Sequence, residues 1–108
     1  MQNKRAHTLV EAVNVITDGM TILIGGFGGP GVPEILIDGV CELGVKNLTI
    51  VSNNAGTDKS GVARLMDVGC VSKLICTFPW AKESYVFKEL YDNGCLLYTS
   101  DAADEGLL

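Results

Sequence analysis

Five glycines lie between a short apolar run and a proline in the first third of the chain. The apolar run Thr21–Ile24 predicts a buried strand of the kind found inside parallel sheets. The pair Asp18 and Gly19 predicts a tight turn before that strand, and Pro33 has the fixed φ that suits the first turn of a helix. The segment 18–33 therefore predicts a turn, a strand, a glycine-rich loop and a helix start in direct succession.

The glycine-rich loop is the predicted ligand site. Because glycine has no side chain, the backbone N–H groups of the loop are uncovered, and they lie beside a predicted helix N-terminus. Such an arrangement binds phosphate, a carboxylate or a developing oxyanion. The alternative is a turn that needs glycine only for positive φ, but five glycines exceed that need. The predicted binding residues of this loop are Gly25, Gly26, Phe27, Gly28, Gly29, Pro30 and Gly31.

Residues 26–31 also match the dinucleotide-binding pattern G-x-G-x-x-G. A dinucleotide site requires an acidic residue about 20 positions further on, where the second strand ends. The second predicted strand is Leu48–Ser52, and no Asp or Glu follows it before Asp58. Pro30 also removes one N–H donor from the loop. A Rossmann-type NAD(P)-dependent oxidoreductase is therefore the second interpretation.

Polar side chains beside the loop are further candidates. Asn53 and Asn54 follow the second strand, where open α/β sheets bind ligands, and two amides can orient a substrate carboxylate without adding charge. An Asx-turn explains the same pair equally well. Glu34 is a possible nucleophile, but an acid that stabilises the first helical turn is the favoured interpretation.

Strands and helices alternate along the chain, which predicts an α/β fold with a parallel sheet, right-handed crossovers and about three βα units. A capping box, Thr8 to Glu11, predicts a first helix. The other predicted elements are a helix from Pro33 to Gly44, a strand Leu48–Ser52, a helix Gly61–Val68, a strand Val71–Thr77 and a helix Lys82–Tyr91. In the helix after Pro33, the residues expected to face the core are Ile35, Leu36, Val40 and Leu43.

The segment 18–33 resembles the signature D-G-x-x-(three apolar)-G-G-F-x-x-x-G-x-P of the A subunit of class I coenzyme A transferases, of the 3-oxoacid (acetoacetate or succinyl) type. The resemblance continues through the S-N-N-A-G block at 52–56 and through residues 85–94. A non-catalytic effector-binding domain of the sugar-phosphate isomerase-like superfamily is a third interpretation, but such domains are not expected to combine these two blocks.

The resemblance implies a function for the chain and for its loop. It implies transfer of coenzyme A between short-chain carboxylic acids through a glutamyl–CoA thioester. The nucleophilic glutamate belongs to the B subunit, so no catalytic residue is expected in this chain. The glycine-rich loop would line the CoA and acyl pocket at the subunit interface. Coenzyme A is then a substrate, with no metal and no permanently bound cofactor, and the expected partners are the B subunit (in a heterodimer or heterotetramer), acyl-CoA and a carboxylate.

The family pattern stops after Gly94. The string Cys95–Glu105 instead resembles the translated sequence of a transposase adapter used in DNA sequencing. Residues 1–94 are therefore interpreted as the N-terminal part of an A-type CoA-transferase domain about twice as long, and residues 95–108 as a non-native tail without evolved partners in the core. Three residues of that tail, Leu96, Leu97 and Tyr98, are available to pair with the open edge of the sheet.

Charge and composition exclude several classes of function. The chain has 8 basic and 13 acidic residues, and leaving out the three acids of residues 95–108 gives 8 against 10. The sequence contains no basic stripe of the kind that forms a nucleic-acid surface. It also contains no apolar run that approaches the roughly 18 residues of a membrane span. The four cysteines lack C-x-x-C spacing, and no signal peptide is recognisable at Met1. A reducing cytoplasm is the expected location.

Overall fold

A computed structural model describes residues 11, 13–26 and 31–100. In these ranges strands and helices alternate. The elements are β1 (Thr21–Ile24), α1 (Glu34–Leu43), β2 (Leu48–Asn54), α2 (Val62–Asp67), β3 (Val71–Phe78), α3 (Tyr85–Asp92) and β4 (Leu97–Ser100). In the described part of the chain, no helix is long and apolar enough to cross a membrane.

The four strands form one parallel sheet in the order β1-β2-β3-β4. Thr21 pairs with Thr49, and Leu74 pairs with both Ile50 and Tyr98. Each strand therefore lies beside the next one in sequence, and a helix makes each crossover between them. The predicted α/β class and the parallel sheet are confirmed.

The core lies between the central strands and the helices. In β2, Leu48 and Ile50 are fully buried, while Thr49 between them and Val51 after them are only partly buried, so one face of the strand carries most of the packing. Leu65 of α2, Leu74 of β3 and Phe87 of α3 are also fully buried against this face. Each such side chain contributes about 1.5–3 kcal/mol by leaving water.

The turns around α1 follow their predicted chemistry. Gly19 has φ of +82°, and its N–H donates to the carbonyl of Lys46 at 3.0 Å. The Asp18 carboxylate accepts from the N–H of Lys46 at 2.9 Å, which fixes the turn before β1. Gly44 ends α1 in the left-handed conformation, with φ of +73°. Pro33 is the residue before the first helical position rather than in it.

The predicted inward face of α1 is partly wrong. Val40 is buried and Leu43 packs against the core, as predicted. Ile35 is 71% exposed and Leu36 is 46% exposed, whereas Ile37 is buried. The buried residues of the helix are Ile37, Gly39 and Val40, and Ile35 lies away from that side. Leu36 precedes Val40 by four residues and lies on the same side, but it borders an apolar groove that the described residues leave open.

Strand β1 is also less buried than its composition predicts. Leu23 is 76% exposed, and Ile22 and Ile24 are partly buried. The strand lies at one edge of the sheet, and the described residues cover only one of its faces. Ile22 and Ile24 pack against the core, whereas Leu23 points to the opposite face of the strand, which the described residues leave open.

Other differences from the predicted elements are small. Strand β2 continues through Asn53 and Asn54, which the sequence placed after the strand. Helix α3 begins at Tyr85, three residues later than predicted, and buries Val86 and Phe87. Of the first predicted helix, Glu11 and Val13 are helical, and residues 1–10 and 12 lie outside the described residues.

The last strand includes residues that the sequence analysis left out of the fold. Leu97–Ser100 pairs with β3, and Leu96 is buried. Tyr98 contacts the rings of Trp80, Phe87 and Tyr91 at centroid distances of 5.5–6.2 Å, which also gives Trp80 a packing role. Pairing of this segment with the open edge of the sheet, which the sequence allowed, is present, and Leu96 and Tyr98 also pack against the core. The foreign origin of residues 95–108 stays a prediction.

Two neighbouring leucines test whether β4 stabilises the protein. Leu96 is 3% exposed and Leu97 is 68% exposed. We expect Leu96→Ala to lower the free energy of unfolding by about 2 kcal/mol or more, because it leaves a cavity in the core. Leu97→Ala should change it by less than about 0.5 kcal/mol. Urea unfolding followed by circular dichroism measures both, and equal, negligible effects would show that the segment does not pack.

The cysteines should differ in reactivity. Cys95 is exposed and Cys70 is buried. Burial, with a smaller contribution from Cys41, raises the pKa of the Cys70 thiol, so less of it is thiolate at pH 8. We expect iodoacetamide to label Cys95 quickly and Cys70 only after unfolding in urea, as mass spectrometry of tryptic peptides would show. Equal labelling rates in the folded protein would contradict this burial.

Candidate functional site

A cleft of about 390 Å³ opens at the carboxyl ends of β1 and β2. Parallel α/β sheets bind ligands at this edge, because the loops that leave the strands diverge there. The first residues of α1 and α2 form its other wall. The described residues that line it are Ile24, Gly25, Gly26, Val32, Glu34, Ser52, Asn53, Asn54, Gly56, Thr57, Ser60, Gly61 and Val62.

The start of the glycine-rich loop forms one side of the cleft. Gly26 has φ of +118°, and a Cβ at this position would lie 2.7 Å from Cγ2 of Val32. Gly25 has open space where a side chain would be. Gly31 is described but does not line the cleft, and Phe27, Gly28, Gly29 and Pro30 lie outside the described residues. The predicted loop site is thus represented by Gly25 and Gly26.

The end of β2 forms the opposite side. The side-chain oxygen of Asn54 accepts from the N–H of Gly56 at 2.8 Å, which is the geometry of an Asx-turn. The side-chain amide of Asn54 donates to the side-chain oxygen of Asn53 at 3.4 Å, and the Ser52 hydroxyl donates to the Asn54 carbonyl at 2.8 Å. Both asparagines line the cleft, and Asn54 also supports the loop that follows it.

Glu34 has a contact that neither sequence interpretation included. Its Oε1 accepts from the N–H of Gly61 at 3.0 Å. Gly61 is the residue before α2 and is buried, with φ of +64° and ψ of −138°. The carboxylate thus joins the first turn of α1 to the end of the β2–α2 loop, across the cleft.

Ser84 and Gly56 hold the β2–α2 loop, and neither role was predicted from the sequence. The Ser84 hydroxyl, which is 1% exposed, donates to the Gly56 carbonyl at 2.6 Å. The N–H of Asp58 donates to the carbonyl of Glu83 at 2.7 Å, so the start of α3 holds the β2–α2 loop at two points. A serine just before a helix signals a cap, but here its hydroxyl bonds to another loop, and no sequence pattern reveals that contact.

The cleft is polar with little charge. Glu34 is the one charged side chain among the described lining residues, and the rest of the polar lining consists of amides, hydroxyls and backbone groups. Arg64 lies outside this lining and pairs with Asp38 at 3.0 Å. Its hydrogen bond with Cys41, followed by the charge of Asp38, raises the pKa of Arg64, so the guanidinium stays charged. Within the described residues, no cluster of three metal-ligating side chains occurs.

This arrangement can orient a neutral or anionic group without neutralising it. The amides and hydroxyls offer hydrogen bonds to a carbonyl or carboxylate oxygen. Glu34 is the carboxylate in the described lining, and one of its oxygens already accepts a hydrogen bond from Gly61. The described part of the cleft therefore has the features of a binding and positioning surface.

Most of the chain matches a known protein family. Residues 6–99 match the family model described as coenzyme A transferase, including residues 95–99 of the last segment. The chain belongs to this family. The resemblance expected from the glycine-rich signature is confirmed, and none of the matches supports the dehydrogenase or isomerase-like alternatives.

Curated relatives carry names from the same family. The chain is 60% identical over 94 residues to the A subunit of 3-oxoadipate CoA-transferase of Acinetobacter baylyi and 50% identical over 94 residues to the protein of that name in Pseudomonas putida; both alignments cover 87% of this chain and 41% of the relative. It is 38% identical over 92 residues to the A subunit of succinyl-CoA:3-ketoacid coenzyme A transferase of Helicobacter pylori, covering 85% and 39%. The chain thus spans about two fifths of the length of these relatives.

Solved structures show the same fold. A variant of the decarboxylase AibA/AibB superposes with a TM-score of 0.71 at 22% identity, covering 89% of this chain and 38% of that chain. The acyl-CoA transferase YdiF of Escherichia coli O157:H7, as a thioester complex with CoA, superposes with a TM-score of 0.70 at 23% identity, covering 87% and 20%. The strands and helices described above are therefore arranged as in these two solved structures.

Three glycines of the cleft allow a matched test of its packing. A Cβ on Gly56 would lie 2.6 Å from the Ser60 carbonyl oxygen, and its φ is +84°. We expect Gly56→Ala and Gly26→Ala to lower the free energy of unfolding by about 2 kcal/mol or more, through clash and strained φ. Gly25→Ala, which meets open space, should cost less than about 1 kcal/mol. Urea denaturation measures all three, and a Gly56→Ala protein as stable as Gly25→Ala would contradict the described loop.

Proposed function

We propose that this chain is part of the A subunit of an enzyme that transfers coenzyme A between a 3-oxoacid and a second carboxylic acid. The family match over residues 6–99 carries the proposal. The names of the relatives at 60% and 50% identity support it, since both are A subunits of a CoA-transferase. The partner in the proposed enzyme is a B subunit, in a heterodimer or heterotetramer whose location is the cytoplasm.

The proposed chemistry divides between the two subunits. A glutamate carboxylate on the B subunit attacks the thioester carbonyl of the donor, which forms an acyl anhydride and releases the CoA thiolate. The thiolate then attacks the glutamyl carbonyl of the anhydride, which forms the glutamyl–CoA thioester and releases the donor acid as its carboxylate. The acceptor carboxylate attacks this thioester, and the released thiolate then attacks the acyl carbonyl of the new anhydride, which regenerates the free glutamate. This chain supplies no nucleophile. The N–H groups of Gly25 and Gly26 and the amide of Asn53 are proposed to hold the carbonyl oxygen on which charge develops.

The proposed acceptor is a 3-oxo dicarboxylic acid such as 3-oxoadipate. The relatives at 60% and 50% identity are named for that acid, whereas the Helicobacter relative named for 3-ketoacids is 38% identical. The second carboxylate of such an acid needs a cation or several donors at its binding site. The described lining of the cleft contains no Lys or Arg. We therefore place a cation that binds this second carboxylate outside the described lining.

The origin of the last segment is part of the proposal. Residues 1–94 are proposed to be native to the A subunit and residues 95–108 to be foreign to it, because the segment from Cys95 resembles a translated adapter. Its pairing with β3 is then the use of an open strand edge by an unrelated peptide, whose Leu96 and Tyr98 also pack against the core.

An assay with the completed A subunit tests the proposed function. We expect the 108-residue chain to have no CoA-transferase activity, alone or mixed with the B subunit. Extension beyond Gly94 to the length of the relatives, with the B subunit added, should give ping-pong kinetics and a covalent thioester that borohydride traps. Transfer from succinyl-CoA to 3-oxoadipate should exceed transfer to acetoacetate by at least about tenfold in kcat/KM, which corresponds to about 1.4 kcal/mol in the transition state.

The results that contradict the proposal are distinct. Transfer by the 108-residue chain alone would place a nucleophile in this chain, with Glu34 as the first residue to replace. An assembled pair that transfers CoA equally well to both acids would remove the proposed dicarboxylate preference. An assembled, folded pair without transfer to either acid would contradict the function itself.

A further inference from the structure

The contact between Glu34 and Gly61 joins two elements that lie far apart in the sequence. The acceptor oxygen belongs to an exposed residue at the start of α1, whereas the donor is the N–H of a buried glycine 27 residues later. A buried N–H without a partner is costly, so this amide depends on the carboxylate. The contact therefore constrains the loop more strongly than an ion pair between exposed side chains would.

Gly61 lies within ordinary contact distance of three neighbouring residues. A Cβ at Gly61 would lie 3.7 Å from Cγ1 of Val32, 3.8 Å from Oε2 of Glu34 and 3.8 Å from the Cα of Gly56. The loop backbone, the segment before α1 and the carboxylate are thus in mutual contact range. Gly61 has φ of +64° and ψ of −138°, a conformation that favours glycine. In this conformation the N–H of Gly61 faces Glu34 of α1.

The loop held by this contact carries the polar residues of the cleft. It begins at Asn54, whose side chain bonds to Gly56, and ends at Gly61. Ser84 fixes the Gly56 carbonyl from the side of α3, and Glu34 fixes Gly61 from the side of α1. Releasing one of these attachments would let the end of β2, with Asn53, shift relative to the glycine-rich loop.

We infer that Glu34 is a positioning residue for CoA transfer, which acts through its hydrogen bond to Gly61 rather than through its charge or as a nucleophile. The inference rests on the proposed function. The carboxylate holds the β2–α2 loop so that Asn53 faces the glycine-rich loop across the cleft. The residue needs a side chain that reaches the Gly61 amide and accepts a hydrogen bond there.

Two conservative variants separate reach from charge. Glu34→Gln keeps the length and the acceptor oxygen and removes the charge. Glu34→Asp keeps the charge and shortens the side chain by one methylene, so that it no longer reaches the 3.0 Å contact, while it remains favourable in a first helical turn. Glu42 lies exposed at the far end of the same helix, and Glu42→Gln and Glu42→Asp are the matched controls.

The first measurement concerns the contact and does not depend on catalysis. Amide hydrogen exchange of the 108-residue chain, followed by NMR, should show Gly61 exchanging at least about tenfold faster in Glu34→Asp than in the wild type. Glu34→Gln and both Glu42 variants should match the wild type. Unchanged exchange of Gly61 in Glu34→Asp would overturn the inference whatever the enzyme does.

The second measurement concerns the role in transfer, in the completed A subunit assembled with the B subunit. Glu34→Asp should lower kcat by about tenfold to a hundredfold and change KM by less than about threefold, because the displaced donors act on the transition state. Glu34→Gln should retain at least about half of the wild-type kcat. If the role of Glu34 were purely structural, Glu34→Asp would have a lower melting temperature, but the kcat of its folded fraction would be unchanged. That result would overturn the positioning role.

The remaining outcomes are also decisive. An active Glu34→Asp enzyme with an inactive Glu34→Gln enzyme would show that charge or nucleophilicity matters and would overturn the inference. If the wild-type pair shows no transfer at all, the proposed function fails, and the positioning role for transfer fails with it. The exchange data on Gly61 would then still show whether the contact itself exists.

Discussion

The backbone at Gly56 is the constraint on which the cleft depends. Its N–H donates to the Asn54 side chain, and its carbonyl accepts from the buried Ser84 hydroxyl. A Cβ at this position would overlap the N–H of Ala63 and the Ser60 carbonyl, and φ is +84°. Glycine is required there by both space and conformation. One backbone unit thereby connects the end of β2, the start of α2 and the start of α3.

This arrangement explains why the polar wall of the cleft is built from a loop. The two asparagines lie at the end of β2, and their side chains take part in the hydrogen bonds that fold the following residues back on the strand. A strand end that is anchored to two helices keeps its amides in place without a covalent link. Preorganised donors of this kind cost no reorganisation when charge develops on a bound oxygen.

The elements could be predicted from the sequence better than the contacts between them. Alternating apolar runs located three strands and the three helices, because burial sets that periodicity. Ile35 and Leu36 were predicted to be buried and are exposed, because the type of a residue does not show whether a neighbour covers it. The order of the sheet was not predicted, and β4 was left out of the fold because its residues resembled a foreign sequence.

The site shows the same limit. Gly25, Gly26, Asn53 and Asn54 could be predicted because glycine clusters and strand ends have a recognisable chemistry, and the structure brings these four to one cleft. The hydrogen bonds from Gly61 to Glu34 and from Ser84 to Gly56 each join residues 27 or 28 positions apart. Such pairs depend on the packing of α1 and α3 against the loop, which the periodicity of a single sequence does not contain.

The fold does not decide the chemistry, because it superposes with a decarboxylase at a TM-score of 0.71 and with an acyl-CoA transferase at a TM-score of 0.70. Selection between reactions must come from the side chains around the cleft, where the carboxylate of Glu34 already accepts the Gly61 hydrogen bond. In the proposed reaction this chain therefore shapes the pocket and orients the carbonyl, and the carboxylate that becomes acylated comes from the partner subunit.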